Sequence, residues 1–419
     1  MKKLYTLTIL AFSLLISLSL KADYWTQKAD FPGFKRTLPI SFSIGNFGYI
    51  GWGTDTTNMS VKDLWAYNAN TNTWTQKATF PGPARSGAAC FANTISGKAY
   101  AGTGQNTLGT LFQDWWEYNT ATNSWAVKAN FPGGVRALAV GFFAGLYGYV
   151  GMGAGVAGDN NDLYLYEPVS NTWQGKPSLP SAYGRREVTA FVVGSKAYIA
   201  TGYSTVAGSS LIDLYEFDTS NDTWTQKNSL YGDARFGASS FSLYGRGYVG
   251  LGKTVLSTYA TDLWLYDINL DDWFSKAAFS GAGRFEAASF AIHDSGYFGC
   301  GGSPSNFYRD LWKYTPDTLA TGMNEFTNYD MQFTIYPNPV KELLVISYPP
   351  APYLSGLIVK ENIGLTITDL QGKKVYSQQL ESPNTKHESK INVSKFSNGI
   401  YFITVENGKE KATKKFLKE

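Results

Sequence analysis

Six of the nine arginines in this 419-residue chain occupy one repeated position, which makes them the first candidates for chemistry. They are Arg36, Arg85, Arg136, Arg185, Arg235 and Arg284. A guanidinium is planar, permanently charged and able to bind a carboxylate or phosphate through two parallel hydrogen bonds. Two interpretations stay open. Two or three of the six contact an anionic ligand, or most of them are structural and bond to neighbouring carbonyls or carboxylates.

Residues that break the repeat beside these arginines are the second set of candidates. Arg186 and Glu187 follow one column arginine, and Glu286 lies two residues after another, where four other repeats have no carboxylate. A pair of carboxyl groups can do acid–base work on a sugar. The alternative is that these carboxylates are solvated or paired with arginine. We therefore treat all three residues as ligand-binding candidates and assign no catalytic residue.

Composition argues against several classes of site. The chain has two histidines, His293 and His387, so neither a His-rich metal site nor a Ser-His-Asp triad can be assembled, and we expect no metal or cofactor. The net charge is +3, of which the first 22 residues and the segment from residue 328 each contribute +3, so the remainder carries −3. Without a positive field over the central region, nucleic acid is not an expected partner.

The elements that must position these residues repeat about every 50 positions, which is typical of one supersecondary unit copied in series. The repeat is marked by Trp25, Trp74, Trp125, Trp173, Trp224 and Trp273. Each copy predicts four short strands separated by turn residues. The first tryptophan strand lacks a preceding Asp-Leu-Trp strand, and the last such strand, at Asp310, lacks a following tryptophan strand. We therefore predict an all-β, six-bladed β-propeller that its N-terminal strand closes.

These motifs resemble the kelch repeat family over about residues 24–315. The resemblance rests on the column arginine, the Tyr and glycines of the second strand, the Asp-Leu-Trp/Tyr of the third and the Trp of the fourth. The chain departs from the family in having Gly-x-Gly where kelch repeats usually show adjacent glycines. The resemblance implies a binding scaffold, a sugar-acting enzyme or an adaptor, so it leaves the chemistry open.

The two ends of the chain predict export. Residues 1–22 have the basic start, apolar run and small residue of a signal peptide. The central domain is expected over residues 23–316 and a linker over 317–328. Residues 329–419, with Tyr336 to Pro339, Asp369, Gly372 and the turn at Asn398 to Tyr401, resemble a type IX secretion system sorting domain, a small β-sandwich. The resemblance implies secretion or outer-surface location and the type IX machinery as a partner. After residues 1–22 no stretch approaches the ~18 apolar residues of a spanning helix, so we expect no membrane span in the mature chain.

The sequence thus favours a non-catalytic binding module for a glycan, in one form an acidic glycan, or for a protein, held at the arginine-lined mouth of the channel. One alternative is a sugar-acting enzyme resembling the kelch-type sialic acid mutarotases. Another is a structural surface component without a small ligand. The sequence does not distinguish among these three.

Overall fold

The computed structural model describes residues 22–317, 334–336, 340–348, 363–369, 372–380, 387–406 and 411–419. The predicted leader, except Ala22, and the predicted linker, except Asp317, lie outside these residues, as do residues 337–339 of the Tyr-Pro-Asn-Pro motif. Over the described ranges the chain is all β, with strands and turns and no helix. None of those ranges contains a helix that could cross a membrane.

Six four-stranded antiparallel sheets, which we number I to VI, follow one another along residues 24–315. Each sheet pairs its strands in the order first, second, third, fourth. The strands of sheets I to III are Ile40–Ile44, Phe47–Gly51, Leu64–Asn68, Thr73–Gln76; Ala89–Asn93, Lys98–Gly102, Trp115–Asn119, Ser124–Lys128; and Val140–Ala144, Tyr147–Gly151, Leu163–Glu167, Thr172–Lys176. Those of sheets IV to VI are Thr189–Val193, Lys196–Ala200, Leu214–Asp218, Thr223–Lys227; Ser239–Leu243, Arg246–Gly250, Leu263–Asp267, Asp272–Lys276; and Ala288–Ile292, Ser295–Gly299, Leu311–Thr315, Tyr24–Lys28.

The fourth strand of sheet VI comes from the start of the described chain. Tyr24–Lys28 pairs with Leu311–Thr315, and Trp25 lies opposite Tyr314. Trp25 packs on Phe279, Phe298 and Tyr314 with ring centroids 5.0–5.2 Å apart. The apolar face of sheet VI is therefore covered by residues that are almost 290 positions apart in the sequence.

Aromatic residues bind each sheet to the next. The indole N–H of every repeat tryptophan donates to a backbone carbonyl that follows the preceding sheet, as Trp74 does to Ala29 at 2.9 Å and Trp25 to Ala277 at 2.9 Å. Between neighbouring sheets, a phenylalanine of one sheet packs directly on a glycine of the next. The contact between Phe91 and Gly148 is so close that a Cβ added to Gly148 would lie 1.9 Å from the Phe91 ring. Small residues in the second strands thus allow the sheets to approach closely.

Two-residue ribbons at one end of the sheets position the column arginines. Arg36–Thr37 pairs with Thr54–Asp55, and Arg235–Phe236 pairs with Lys253–Thr254. The remaining ribbon strands are Arg136–Ala137, Ala154–Gly155, Gly158–Asp159, Tyr203–Ser204, Ser209–Ser210, Gly302–Ser303 and Asn306–Phe307. The sequence predicted that the arginine opens the first strand, but a residue of positive φ, such as Leu38 at 52°, separates the two. The arginine therefore lies in a ribbon with the loop between the second and third strands.

The C-terminal segment forms two further antiparallel sheets. One contains Thr334–Tyr336, Leu343–Tyr348 and His387–Asn392, and the other contains Ile363–Asp369, Lys374–Leu380, Gly399–Glu406 and Lys411–Lys418. Apolar residues of both sheets, including Ile346, Ile391, Ile367 and Ile403, form one buried core. This arrangement is that of two sheets packed face to face.

Candidate functional site: the channel mouth

All six column arginines are buried and bonded to the aspartate that precedes the third strand of their own sheet. Arg36 donates to Asp63 from both terminal nitrogens, at 2.6 and 2.8 Å, and its Nη1 also donates to the Trp52 carbonyl at 2.8 Å. Arg284 repeats this at 2.5 and 2.9 Å with Asp310, and at 2.9 Å with the Cys300 carbonyl. The other four pairs are Arg85–Asp114, Arg136–Asp162, Arg185–Asp213 and Arg235–Asp262.

These hydrogen bonds give the guanidinium groups partners inside the protein. None of the six arginines is more than 1% exposed. Burial disfavours a charged aspartate, yet hydrogen bonds from Arg85 and Trp116 lower the pKa of Asp114 below its usual value. The geometry supports the structural interpretation of the column, since a buried charge is stable only when it is paired. Direct contact between these arginines and a ligand stays a prediction.

A second column, two residues after each arginine, forms a ring of backbone hydrogen bonds. All six residues have positive φ, from 51° to 61°, and each donates its N–H to the carbonyl of the equivalent residue in a neighbouring sheet at 2.7–3.2 Å. Following the bonds from donor to acceptor gives Leu38, Glu286, Gly237, Glu187, Leu138, Gly87 and again Leu38. We call this set the six-residue ring.

The six-residue ring brings Glu187 and Glu286 together, although 98 residues separate them in the sequence. Between them lies Gly237, and a Cβ added there would be 3.3 Å from Glu187 Oε2. The absent side chain at Gly237 leaves the space in which the two carboxyl groups come close to each other. Thr37 lies beside the Glu286 carboxyl, and its hydroxyl partly opposes the rise in the pKa of Glu286.

The electrostatics of the pair favour a retained proton. Burial raises the pKa of Glu187 to about 7, and the positive charge of Arg186 partly opposes that shift. Burial and the neighbouring Glu187 charge raise the pKa of Glu286 well above its usual value. Glu187 Oε2 is inaccessible to solvent and has no hydrogen-bond donor within the described part of the protein. Two close carboxyl groups that cannot both ionise readily offer a ligand one proton donor and one acceptor.

We call the six residues that directly follow the column arginines the rim. Large side chains occupy only one half of it. The residue after each column arginine is Arg186, Phe236 or Phe285 in sheets IV to VI, but Thr37, Ser86 or Ala137 in sheets I to III. Phe236 and Phe285 lie 6.0 Å apart, edge to face. The small residues opposite, Thr37, Ser86 and Ala137, are buried.

Charged and aromatic neighbours complete the large half of the rim. Arg186 Nε donates to Asp159 at 2.5 Å, and Asp159 also accepts two hydrogen bonds of 2.7 Å from Thr205. Tyr203 packs on Phe236, with centroids 5.6 Å apart, and Tyr259 packs on Phe285, at 5.5 Å. Arg186 is therefore fixed in place rather than free to follow a ligand.

Sequence reasoning selected Arg186, Glu187 and Glu286, and the structure places all three at one mouth. It missed Thr37, Phe236, Tyr203 and Tyr259, as well as the six-residue ring itself. Comparing the residues one and two positions after each arginine across the six repeats would have found most of them. In the described ranges no group of three or more His, Cys, Asp or Glu side chains is arranged to hold a metal ion.

Comparison with known proteins identifies the C-terminal segment. Residues 334–419 match the family model of the secretion system C-terminal sorting domain. This segment is therefore the sorting domain through which the type IX secretion system exports a protein and attaches it to the cell surface.

The comparison identifies only the fold of the preceding sheets. Among 425 matching solved chains is one titled "Structure of YjhT", with a TM-score of 0.57 and 19% identity, covering 69% of this chain and 95% of its own length. Residues 22–317 therefore have a propeller-like fold of the kelch type. No curated protein matches the sequence. At 19% identity the likeness carries no information about activity.

Proposed function

We propose that this protein is a surface binding module that holds a saccharide at the mouth of a six-bladed propeller. The proposal takes sheets I to VI, over residues 23–316, as the blades of a closed ring. Support comes from the pairing of Tyr24–Lys28 with Leu311–Thr315 and from the cycle of hydrogen bonds in the six-residue ring. A second cycle has the same form, with the N–H of Gly301 donating to the Arg36 carbonyl at 2.8 Å between sheets VI and I.

The observation that carries the proposal is the meeting of Glu187 and Glu286 beneath an aromatic half-rim. A protonated carboxyl group donates a hydrogen bond and an ionised one accepts, so the pair matches adjacent hydroxyl groups of a sugar. Phe236 and Phe285 provide apolar surface beside it, and a few polar groups in an apolar wall are typical of ligand sites. The column arginines support the ligand through their positions, since each is fixed in place directly before a rim residue.

Binding of the mature chain, residues 23–419, to a glycan array tests the proposal. We expect selected glycans to bind, and we expect Gly237→Ala to weaken binding about tenfold or more because its methyl group enters the space of the carboxyl pair. Glu167→Gln, on the third strand of sheet III, is the matched control and should bind normally. An array without any hit, or equal binding by the Gly237→Ala variant, would contradict a saccharide site at this mouth.

A second candidate is a sugar-acting enzyme resembling the sialic acid mutarotases. The observation that favours it is the same pair, since neighbouring carboxyl groups with separated pKa values can act as acid and base. Anomer interconversion of N-acetylneuraminate, followed by NMR, distinguishes the two functions. An enzyme should lose turnover in Glu187→Gln and Glu286→Gln while a binding module retains affinity near normal, because glutamine keeps the shape but carries no titrating proton.

A protein ligand is the remaining alternative at this mouth. Exposed apolar residues at the tips of five ribbon loops favour it: Met59, Leu108, Val156, Val206 and Leu256. Exposed apolar groups that share one end of a fold are typical of interaction surfaces. If no glycan raises the melting temperature of the chain, the protein ligand and the structural surface component become the better proposals. In either case residues 1–22 are proposed to act as the export leader.

A further inference from the structure

A cleft separate from the channel mouth lies where sheet VI meets sheet I. Its volume is about 730 Å³, and its lining includes Pro32, Phe34, Lys35, Lys62, Trp65 and Arg309. Ligand sites commonly have volumes of about 300–1,000 Å³. We call this the seam cleft. It involves none of the residues of the six-residue ring.

The cations of the seam cleft are departures from the repeat. The residue before the column arginine is Lys35 in sheet I, and an uncharged residue in every other repeat: Ala84, Val135, Gly184, Ala234 and Gly283. The residue before the column aspartate is Lys62 in sheet I and Arg309 in sheet VI, and it is uncharged elsewhere: Gln113, Asn161, Ile212 and Thr261. The blade architecture does not require these charges, and the fold gathers all three in one cleft.

The positive charge of the seam cleft is not neutralised locally. Its carboxylate, Asp63, already accepts two hydrogen bonds from Arg36 and one of 2.9 Å from the Trp65 indole. Neither Lys35 nor Lys62 has a carboxylate within 4.0 Å in the described ranges. Arg309 has only Asp30, 3.9 Å away, with both side chains about half exposed, and such pairs contribute little.

Ring carbons lie beside these cations. Phe34 is 65% exposed. The Trp65 indole N–H is bonded to Asp63, so this side chain contributes apolar surface to the cleft. A pyranose with a carboxylate matches this lining, because it combines an apolar C–H face with an anion at its edge. Cations grouped within a concave site also attract anions more strongly than scattered surface charges do.

We propose that the seam cleft binds an acidic saccharide, with Lys35, Lys62 and Arg309 recognising its carboxylates and Trp65 and Phe34 contacting its rings. The site is independent of the saccharide site proposed at the mouth. It places an anion-binding function outside the channel, in a domain whose own net charge is negative. The column arginines are not needed for it.

Calorimetry with the mature chain at low salt tests this inference, using a hexameric oligogalacturonate and its fully methyl-esterified counterpart. We expect the acid form to bind at least about tenfold more tightly than the ester, and less tightly as salt is raised. The double variant Lys35→Gln/Lys62→Gln should weaken binding about tenfold or more, since each lost charge-assisted hydrogen bond weakens the complex. Lys28→Gln/Lys77→Gln makes the same charge change on the outer strands of sheets VI and I and should bind normally.

Three results would overturn the inference. These are equal affinity for the acid and the ester, unchanged affinity in Lys35→Gln/Lys62→Gln, and a glutamate decamer that binds as tightly and responds to the same variants. The last result would assign the cleft to acidic peptides. Loss of binding in Gly237→Ala alone, with the lysine variants unaffected, would place the acidic saccharide at the mouth and would also contradict the proposal.

Discussion

The column arginines, which the sequence marks as the first candidates for ligand binding, are all bonded to groups within the protein. Each is bonded to an aspartate and to the carbonyl of the residue that directly follows its second strand and precedes a glycine, as Arg36 is to Asp63 and Trp52. That residue has positive φ in every repeat, 53° at Trp52, where a carbonyl turned out of the sheet needs a donor. The arginine column thus stabilises the end of each second strand.

Glu187 and Glu286 differ because nothing in the repeat requires a carboxyl group at their positions. Leucine and glycine occupy the other four places in the six-residue ring. Non-glycine residues with positive φ are strained by roughly 1–2 kcal/mol. Backbone strain together with a half-buried carboxyl group, one oxygen of which has no donor in Glu187, is more typical of functional sites than of a residue selected for stability.

The pH dependence of stability should reveal the shared proton of this pair. The pKa of Glu187 is raised from 4.5 to about 7, and that of Glu286 is raised well above its usual value, so the folded state binds more protons than the unfolded chain. Stability is therefore expected to fall as pH rises from about 4.5 through 7. Glu286→Gln should be more stable than wild type at pH 8 by roughly 1–3 kcal/mol, and similar at pH 4.

Urea unfolding at pH 4, 6 and 8 measures these differences, with Glu167→Gln as the control. If wild type and Glu286→Gln show the same dependence on pH, the two carboxyl groups do not share a proton in the folded protein.

At the scale of elements, the two-residue ribbons decide where the functional residues lie. They pair the segment before the first strand with the loop after the second, so residues about 20 positions apart become neighbours. This explains why the rim contains Tyr203, which the column pattern does not mark: its backbone bonds to Arg186 in both directions, at 2.9 and 3.0 Å. Loop residues fixed by a rigid scaffold are the usual carriers of binding.

The N-terminal strand should contribute as much as the fourth strand of an uninterrupted sheet. Trp25 is 8% exposed and Trp273, at the equivalent position of sheet V, is 3% exposed. Both indoles donate to a carbonyl of the neighbouring connection, Ala277 and Asn228. We expect Trp25→Ala and Trp273→Ala each to lower the free energy of unfolding by about 3–5 kcal/mol.

Chemical denaturation compares the two variants directly. If Trp25→Ala lowers the free energy of unfolding much less than Trp273→Ala does, the strand Tyr24–Lys28 separates from sheet VI. In that case this strand does not close the ring of sheets.

At the scale of the whole molecule, a propeller-like domain carries the proposed binding surfaces, and the sorting domain determines export and surface attachment. The two have separate cores: the sorting domain buries its own set, including Ile367 and Ile403. Functions that depend on different cores can be lost separately. The chemistry of the molecule is therefore expected in residues 23–316, and its destination in residues 334–419.

Removal of residues 334–419 should abolish surface location without unfolding the remaining domain. We expect the truncated chain to keep its melting temperature within a few degrees and to accumulate inside the outer membrane. Cell fractionation with a surface protease measures its location, and Glu286→Gln in the full chain is the control for normal export. Surface exposure of the truncated protein would contradict the prediction that the sorting signal is confined to residues 334–419.

Much of this protein follows from the sequence alone, because its information is periodic. Repeated tryptophan, tyrosine and aspartate positions predict strand types and their order, and the motifs from Tyr336 to Tyr401 predict the sorting domain that the family match confirms. The same periodicity also selected Arg186, Glu187 and Glu286, because departures from a pattern are visible wherever the pattern is strong.

Which groups these residues contact is decided only by the tertiary structure. The bonding of the guanidinium groups to aspartates depends on how the third strand of each sheet is placed beside the column arginine. The approach of Glu187 to Glu286 depends on the missing side chain of Gly237, and the seam cleft depends on Lys62 and Arg309 lying beside one another across 247 residues of sequence. A repeat specifies each sheet from local residues, whereas the contacts between repeats depend on how the sheets are arranged in space, which local spacing does not encode.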